Sequence, residues 1–185
     1  MIGTSIDRGA AAARQVPQIR HDMVCAMQCD ARILITGTSA TGTRALAQMI
    51  HRHGQRARSP FLKLNCARRP DLVLEARLFG RARHSFDGSA SSSRGLLEQA
   101  HGGTIFLANI GQIGRGLQAR LLHFLEHGEI RRVGADTAHA AVDVRVISAA
   151  DHRLFEQVAA GTFNPELYYR LNVMHLVMPP VARRR

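Results

Sequence analysis

The stretch that decides the fold reads Ile33-Leu34-Ile35-Thr36-Gly37-Thr38-Ser39-Ala40-Thr41-Gly42-Thr43-Arg44. Residues of buried-strand type run into two glycines that lie five positions apart, and apolar residues at helical spacing follow. This order predicts a strand, a phosphate-binding loop and a helix, because in the motif GxxxxGK[ST] backbone N–H groups surround phosphate oxygens. Residues 37–44 are therefore the candidate nucleotide-binding residues.

The loop keeps the glycine spacing of the motif but lacks its charge. The lysine that neutralises the β- and γ-phosphates is replaced by Thr43, and the position of the Mg²⁺-binding hydroxyl is occupied by Arg44. Arg44 can supply a cation from a different direction or point to solvent. Both interpretations stay open at this point.

The composition predicts one soluble α/β domain. The chain has 185 residues, of which 45% are hydrophobic and 21% are charged, and this length is sufficient for one core. The sequence has no apolar run of membrane-spanning length and no signal-peptide pattern, so we expect a cytoplasmic protein without a membrane partner. Residues 1–21 lack periodicity and are predicted to be a loose lead-in to a domain over residues 22–185.

The net charge of +11 indicates attraction to phosphates or to an acidic partner. A solvated basic surface is favoured over direct nucleic-acid binding, because no helix-turn-helix or zinc-finger pattern is visible. The three cysteines are predicted to be reduced packing thiols and not a metal site. The histidines, including His51 and His53, are predicted to lie at the surface.

Alternating strands and helices are predicted along the rest of the chain. Strands are expected over 31–36, 61–66, 104–109, 129–133 and 143–149, and helices over 23–27, 45–50, 72–78, 96–100, 117–125, 154–158 and 166–171. Residues 81–95 are predicted to be a long loop, whose Phe86 either covers the core or contacts a partner.

The strand over 104–109 ends without the acids of a phosphate-loop enzyme. Such a strand typically ends in an Asp that holds the Mg²⁺ shell and a Glu that orients the attacking water. Here those positions are Ala108 and Asn109. No catalytic residue is therefore assigned, and the metal site is predicted to be lost.

In order and spacing, several blocks resemble the central AAA+ domain of bacterial enhancer-binding proteins, the activators that remodel RNA polymerase carrying sigma-54. The resemblance implies an α/β fold, a three-layer αβα P-loop NTPase core with a parallel sheet. It also implies the sigma-54 RNA polymerase holoenzyme and other AAA+ subunits as partners. The blocks are residues 33–42, Leu64-Asn65-Cys66, Leu78-Phe79-Gly80, 98–107, Ile110-Gly111, 118–122, Arg132-Val133-Gly134, 144–147, 169–173 and Pro179-Pro180.

The resemblance also assigns positions around the phosphate loop. The asparagine that senses the water-activating glutamate matches Asn65, and the glutamate itself matches Asn109. Asn65 is therefore expected to have lost its partner. The polar pair after the sensor strand ends at Asp151, and of the two arginines that reach a neighbouring subunit's nucleotide, the first matches Asn164 and the second Arg170.

The family's sigma-54 contact loop, Gly-Ala-Phe-Thr-Gly-Ala, falls on residues 84–89. Phe86 and Gly88 agree with it, whereas the threonine is replaced by Asp87. This match favours the partner-contact interpretation of Phe86. The sequence stops shortly after Pro180, so the helical lid subdomain and a DNA-binding domain are expected to be absent from this chain.

These departures leave several functional hypotheses. The first is a regulator-like AAA+ domain that binds ATP weakly, lacks an Mg²⁺ anchor, hydrolyses very little and acts through protein association. The second is an active ATPase that uses Arg44. The others are a basic, non-enzymatic module that binds nucleic acid or protein, and a gene remnant without function.

Overall fold

The computed structural model describes residues 21–37, 40–67, 69–82, 92–135 and 139–178. Its elements are α1 (21–28), β1 (Ile33–Thr36), α2 (Ala40–Arg52), β2 (Phe61–Asn65), α3 (Asp71–Phe79), β3 (Gly80–Arg81), β4 (Ser93–Arg94), α4 (Leu96–Gln99), β5 (Thr104–Ala108), a 3₁₀ turn (Ile110–Gln112), α5 (Arg115–His127), β6 (Glu129–Arg131), β7 (His139–Ala141), β8 (Arg145–Ala150), α6 (Leu154–Ala159), α7 (Pro165–Leu171) and β9 (Met174–Val177).

Five parallel strands form the main sheet in the order β2-β5-β8-β1-β9. Every residue of β1 and β8 is buried, as expected of central strands whose two faces are both covered by helices. The expected central strand over 143–149 is therefore confirmed, and it begins at Arg145.

Two apolar clusters cover the two faces of this sheet. On one face, Ile35 and Ile147 pack with Leu46 and Ile50 of α2. On the other face, the buried residues come from the sheet and from α3, α5 and α7: Leu34, Leu107, Val146, Leu74, Leu78, Leu117, Leu121, Leu167 and Leu171. The three-layer αβα architecture predicted from the sequence is thus present.

Several details differ from the sequence prediction. The ends of the expected loop over 81–95 form the antiparallel pair β3–β4, and β6 pairs with β7, a strand with no counterpart in the prediction. The edge strand β9 also has no counterpart. The sigma-contact residues Phe86, Asp87 and Gly88 lie outside the described residues.

The predicted surface position of His51 is wrong. Its ring is 5% exposed, its Nδ1 lies 3.0 Å from Thr104 Oγ1, and it packs against Phe61. His53 is exposed, as expected. Within the described part of the chain, none of the helices is long and apolar enough to cross a bilayer.

Candidate nucleotide-binding site

The carboxyl ends of the central strands bring the predicted site residues to one edge of the sheet. Thr36 is in register with Ala150, and Ala108 is in register with both Ala149 and Asn65. In open parallel sheets, ligands bind in the crevice beyond this edge. The residues that end or follow these strands are Gly37, Asn65, Asn109 and Asp151.

The start of the phosphate loop is held by backbone contacts. The N–H of Gly37 donates to the carbonyl of Ala150 at 3.1 Å, and the N–H of Met178 donates to that of Thr36 at 2.7 Å. A Cβ on Gly37 would lie 2.7 Å from the Cβ of Met178, closer than side chains tolerate. Gly37 is therefore required by packing, whether or not a phosphate binds.

The next residues of the loop are described only in part. Thr38 and Ser39 lie outside the described residues, as do the side chains of Ala40 and Thr41. The backbone of Ala40 already belongs to α2, and Gly42 lies in its first turn. The described parts of the phosphate loop are thus Gly37 at its start and the first turn of α2 at its end.

Helix α2 presents its N-terminus at this edge without an acidic residue in its first turn. A helix N-terminus attracts anions, because its first N–H groups have no partner within the helix. Thr43, at the lysine position, is 3% exposed. Arg44 is exposed and forms no ion pair with any described residue, which favours the solvent-facing interpretation.

Asn65 forms a hydrogen bond with Asn109, the residue that replaces the expected glutamate partner. The side chain of Asn109 donates from Nδ2 to Asn65 Oδ1 at 2.7 Å, and the N–H of Ala67 donates to the same oxygen at 3.0 Å. Asn109 has a left-handed backbone with φ of 57°, which asparagine adopts more readily than most residues. A hydrogen-bonded amide pair thus occupies the two positions that the resemblance assigns to asparagine and glutamate.

The donors at this edge do not fit a magnesium site. Mg²⁺ is typically held by carboxylates and phosphate oxygens, and Ala108 supplies no ligand. Asp151 Oδ1 accepts the N–H of Arg153 at 3.2 Å and so closes a local turn. Among the residues with described positions, no group of three or more His, Cys, Asp or Glu side chains is arranged to hold a metal.

His175 is a neighbour of the loop that sequence reasoning missed. Its Nε2 lies 2.8 Å from Thr36 Oγ1, immediately before the loop. His175 is exposed overall, but partial desolvation of its ring lowers its pKa, and nearby His152 lowers it further. The lowered pKa favours the neutral imidazole, so His175 is a poor substitute for the missing lysine charge.

The two positions that the resemblance assigns to arginines have different local environments. Asn164 caps α7, since its Oδ1 accepts the N–H groups of Glu166 at 2.8 Å and Leu167 at 3.0 Å. Arg170 lies on α7 with its side chain 47% exposed and forms an ion pair of 3.0 Å with Glu126. Its reach into a neighbouring subunit stays a prediction.

Residues 10–177 match the family described as Sigma-54 interaction domain. The Nif-specific regulatory protein of Enterobacter agglomerans is 45% identical over 155 residues, which cover 84% of this chain and 30% of that protein. The regulatory protein AtoC of Escherichia coli K12 is 43% identical over 155 residues, covering 84% and 33%. The chain thus spans about a third of the length of these relatives.

Solved structures agree with this match. The crystal structure of NtrX from Brucella abortus in complex with ADP has a TM-score of 0.79 and 32% identity, covering 97% of this chain and 37% of that one. The complex of NtrX with ATP gives a TM-score of 0.78. A P-loop NTPase domain of a sigma-54 transport activator from E. coli, at 19% identity and a TM-score of 0.57, supports the fold alone.

Proposed function

Because this chain belongs to the family of sigma-54 interaction domains, we propose that it is an AAA+ domain that binds nucleotide weakly and has little or no hydrolytic activity. The observation that carries the proposal is the hydrogen bond between Asn65 and Asn109. In the position of the water-activating acid, this site holds an uncharged amide that donates to its neighbour. A carboxamide does not act as a general base at neutral pH.

The expected loss of rate follows from the groups that are replaced. Losing a general base typically costs about 10² to 10⁴ in rate, and losing a preorganised charge costs about 10² to 10³. Catalytic groups act together, so these factors do not simply multiply, and the combined loss is at most about 10⁴. Ala108, Asn109 and Thr43 together thus account for very slow or absent turnover.

Nucleotide binding depends less on these residues. The N-terminus of α2 still favours an anion, and a homologue of 32% identity has been crystallised with ADP and with ATP. The missing lysine removes a charge-assisted hydrogen bond of about 1.5–3 kcal/mol, which is about 10- to 150-fold in affinity. We therefore expect weak binding without a requirement for Mg²⁺.

Protein association is the proposed mode of action. The family membership supports the sigma-54 RNA polymerase holoenzyme as a partner, and association with other AAA+ subunits is proposed from the resemblance alone. The exposed position of Arg170 on α7 fits a contact with a neighbouring subunit. An inactive subunit of this kind would change the activity of an assembly without consuming ATP itself.

Isothermal titration with ATP tests the binding part of the proposal. Thr43→Lys should tighten binding by about 10- to 150-fold, whereas Arg44→Ala should leave it unchanged because Arg44 faces solvent. Removal of Mg²⁺ should not alter the affinity of the wild-type chain. Binding that weakens in Arg44→Ala, or that requires Mg²⁺, would contradict the proposed site.

A sizing experiment tests the association part separately. The wild-type chain, Arg170→Ala and an active family member are run alone and in mixtures. Co-elution of the wild-type chain with the active member, reduced in Arg170→Ala, is the expected result. Separate elution of the two proteins at all concentrations would refute association with other AAA+ subunits.

A further inference from the structure

A cavity of about 340 Å³ lies away from the sheet edge, between α3, the β3–β4 pair and α4. Three arginines line it, one from each of α3, β3 and β4, namely Arg77, Arg81 and Arg94. Val73, Ala76 and Leu96 add apolar surface between them. The cavity thus combines concentrated positive charge with an apolar floor.

Two glycines bring the third arginine to this place. Gly80 has φ of 84°, and a Cβ there would lie 2.5 Å from the carbonyl oxygen of Ser93. A Cβ on Gly95 would lie 2.5 Å from the nitrogen of Gly80. The chain around Arg94 therefore packs directly on the end of α3, which places arginines that are distant in sequence around one cavity.

Two carboxylates on the helices beside the cavity form ion pairs with arginines outside it. Glu75 of α3 pairs with Arg120 at 3.0 Å, and Glu98 of α4 pairs with Arg132 at 2.7 Å. Arg77 and Arg94 are both exposed and form no ion pair within 4 Å with a described residue, although Arg94 is near enough to Glu98 to help lower its pKa. Like charges gathered around a small cavity repel one another, so an anion that enters it is stabilised.

We propose that this cavity binds an acidic peptide segment, with carboxylates on Arg77 and Arg94 and an apolar side chain on the floor formed by Val73, Ala76 and Leu96. Guanidinium groups match carboxylates in two-point hydrogen bonding, which gives such contacts direction as well as strength. The cavity volume lies at the lower end of the range for ligand pockets and suits one or two side chains.

An acidic peptide fits this cavity better than a nucleic acid. Single-stranded nucleic acids bind grooves in which aromatic side chains stack on the bases. None of the described residues that line this cavity is aromatic. An aliphatic floor within an arginine rim instead matches a segment in which acidic and apolar residues are neighbours.

Fluorescence anisotropy with a defined probe tests the inference. The probe is a short fluorescein-labelled peptide in which two Glu residues flank each Leu, and its control has Gln in place of Glu. The experiment contains no nucleotide, so its result is independent of the proposed nucleotide site. The wild-type chain should bind the Glu peptide, bind the Gln peptide at least about tenfold more weakly, and lose affinity as salt is added.

A matched pair of variants localises the binding. Arg77→Glu combined with Arg94→Glu should weaken binding by about tenfold or more. The control combines Arg58→Glu with Arg153→Glu, two exposed arginines outside the cavity, and changes the net charge equally. Arg81 is left unchanged, because it lies in β3, where its backbone pairs with Ser93 and forms a bridge to Val133.

The binding of the Glu peptide to the two double variants decides whether the cavity is the binding site. Loss of binding in the cavity variant alone supports the proposal. No detectable binding of the Glu peptide, equal loss in both double variants, or tighter binding of a single-stranded DNA of equal charge would overturn it. If the cavity variant does not fold, hydrogen exchange of the wild-type chain replaces it, and the Glu peptide should then slow exchange in α3 and residues 93–96.

Discussion

Asn109→Glu, which returns an acid to the end of β5, should destabilise the domain. The wild-type amide donates to Asn65 Oδ1 at 2.7 Å, and a carboxylate has no hydrogen to donate there. Asn65 would have to rotate its amide to donate instead. That rotation would remove the acceptor of the Ala67 N–H, now 3.0 Å from Asn65 Oδ1.

Two contributions set the size of the effect. One lost hydrogen bond costs about 0.5–1.5 kcal/mol of unfolding free energy. Asn109 has φ of 57°, a region in which asparagine is enriched several-fold, which corresponds to about 1 kcal/mol relative to glutamate. The sum of about 1.5–2.5 kcal/mol lowers the melting temperature of a domain of this size by about 3–10 °C.

Urea denaturation and thermal melts followed by circular dichroism measure both contributions. Asn109→Asp is the matched control, since it carries the same charge and also lacks the donor but tolerates the left-handed backbone. Asp should therefore cost about 1 kcal/mol less than Glu. A Glu variant as stable as the wild-type chain, or one indistinguishable from Asp, would refute the reasoning.

Two further predictions concern buried side chains away from the site. Arg145→Met should lower the free energy of unfolding, measured by urea denaturation, by at least about 2 kcal/mol, because Arg145 donates to the carbonyls of Ala26 at 2.6 Å and Ala31 at 3.3 Å. The control variant Arg153→Met, at an exposed position, should leave stability unchanged. Equal effects of the two substitutions would contradict this role of Arg145. Burial lowers the pKa of His51. A hydrogen bond with the backbone of Ser59 raises it in part, and the nearby charges of Arg145 and Arg52 lower it further. The unfolded chain thus binds the proton more readily than the folded chain, and the free energy of unfolding should fall as pH drops below about 6.5. His51→Gln should reduce this pH dependence of stability, while the control His53→Gln should not.

Much of the sheet could be predicted from the sequence, because its central strands are apolar runs next to glycine turns. Ile33–Thr36 and Thr104–Ala108 show this pattern and are strands in the structure. β9 does not show it: Met174–Val177 is short, only Leu176 of it is buried, and it pairs with a strand far earlier in the chain. A pairing between strands so far apart in sequence leaves no local signal.

At the candidate site, sequence identified positions but not contacts. Asn65 and Asn109 could be assigned by resemblance, yet their hydrogen bond depends on a left-handed backbone that the sequence does not specify. The predicted position of His51 was wrong for a similar reason, since this residue of α2 is buried against Thr104 of β5 and Phe61 of β2. Local patterns report which face of an element is apolar, whereas these contacts are tertiary.

Phosphate release from ATP by the wild-type chain is the most direct test of the central claim, that this domain keeps the shape of an ATPase without its turnover. The assay is run at saturating ATP and Mg²⁺, beside Arg44→Ala and the triple variant Thr43→Lys, Ala108→Asp, Asn109→Glu. The wild-type chain and Arg44→Ala should both release phosphate at the rate of a protein-free control. Wild-type release clearly above the protein-free control would contradict the absence of turnover, and loss of that release in Arg44→Ala would show an active site that uses Arg44.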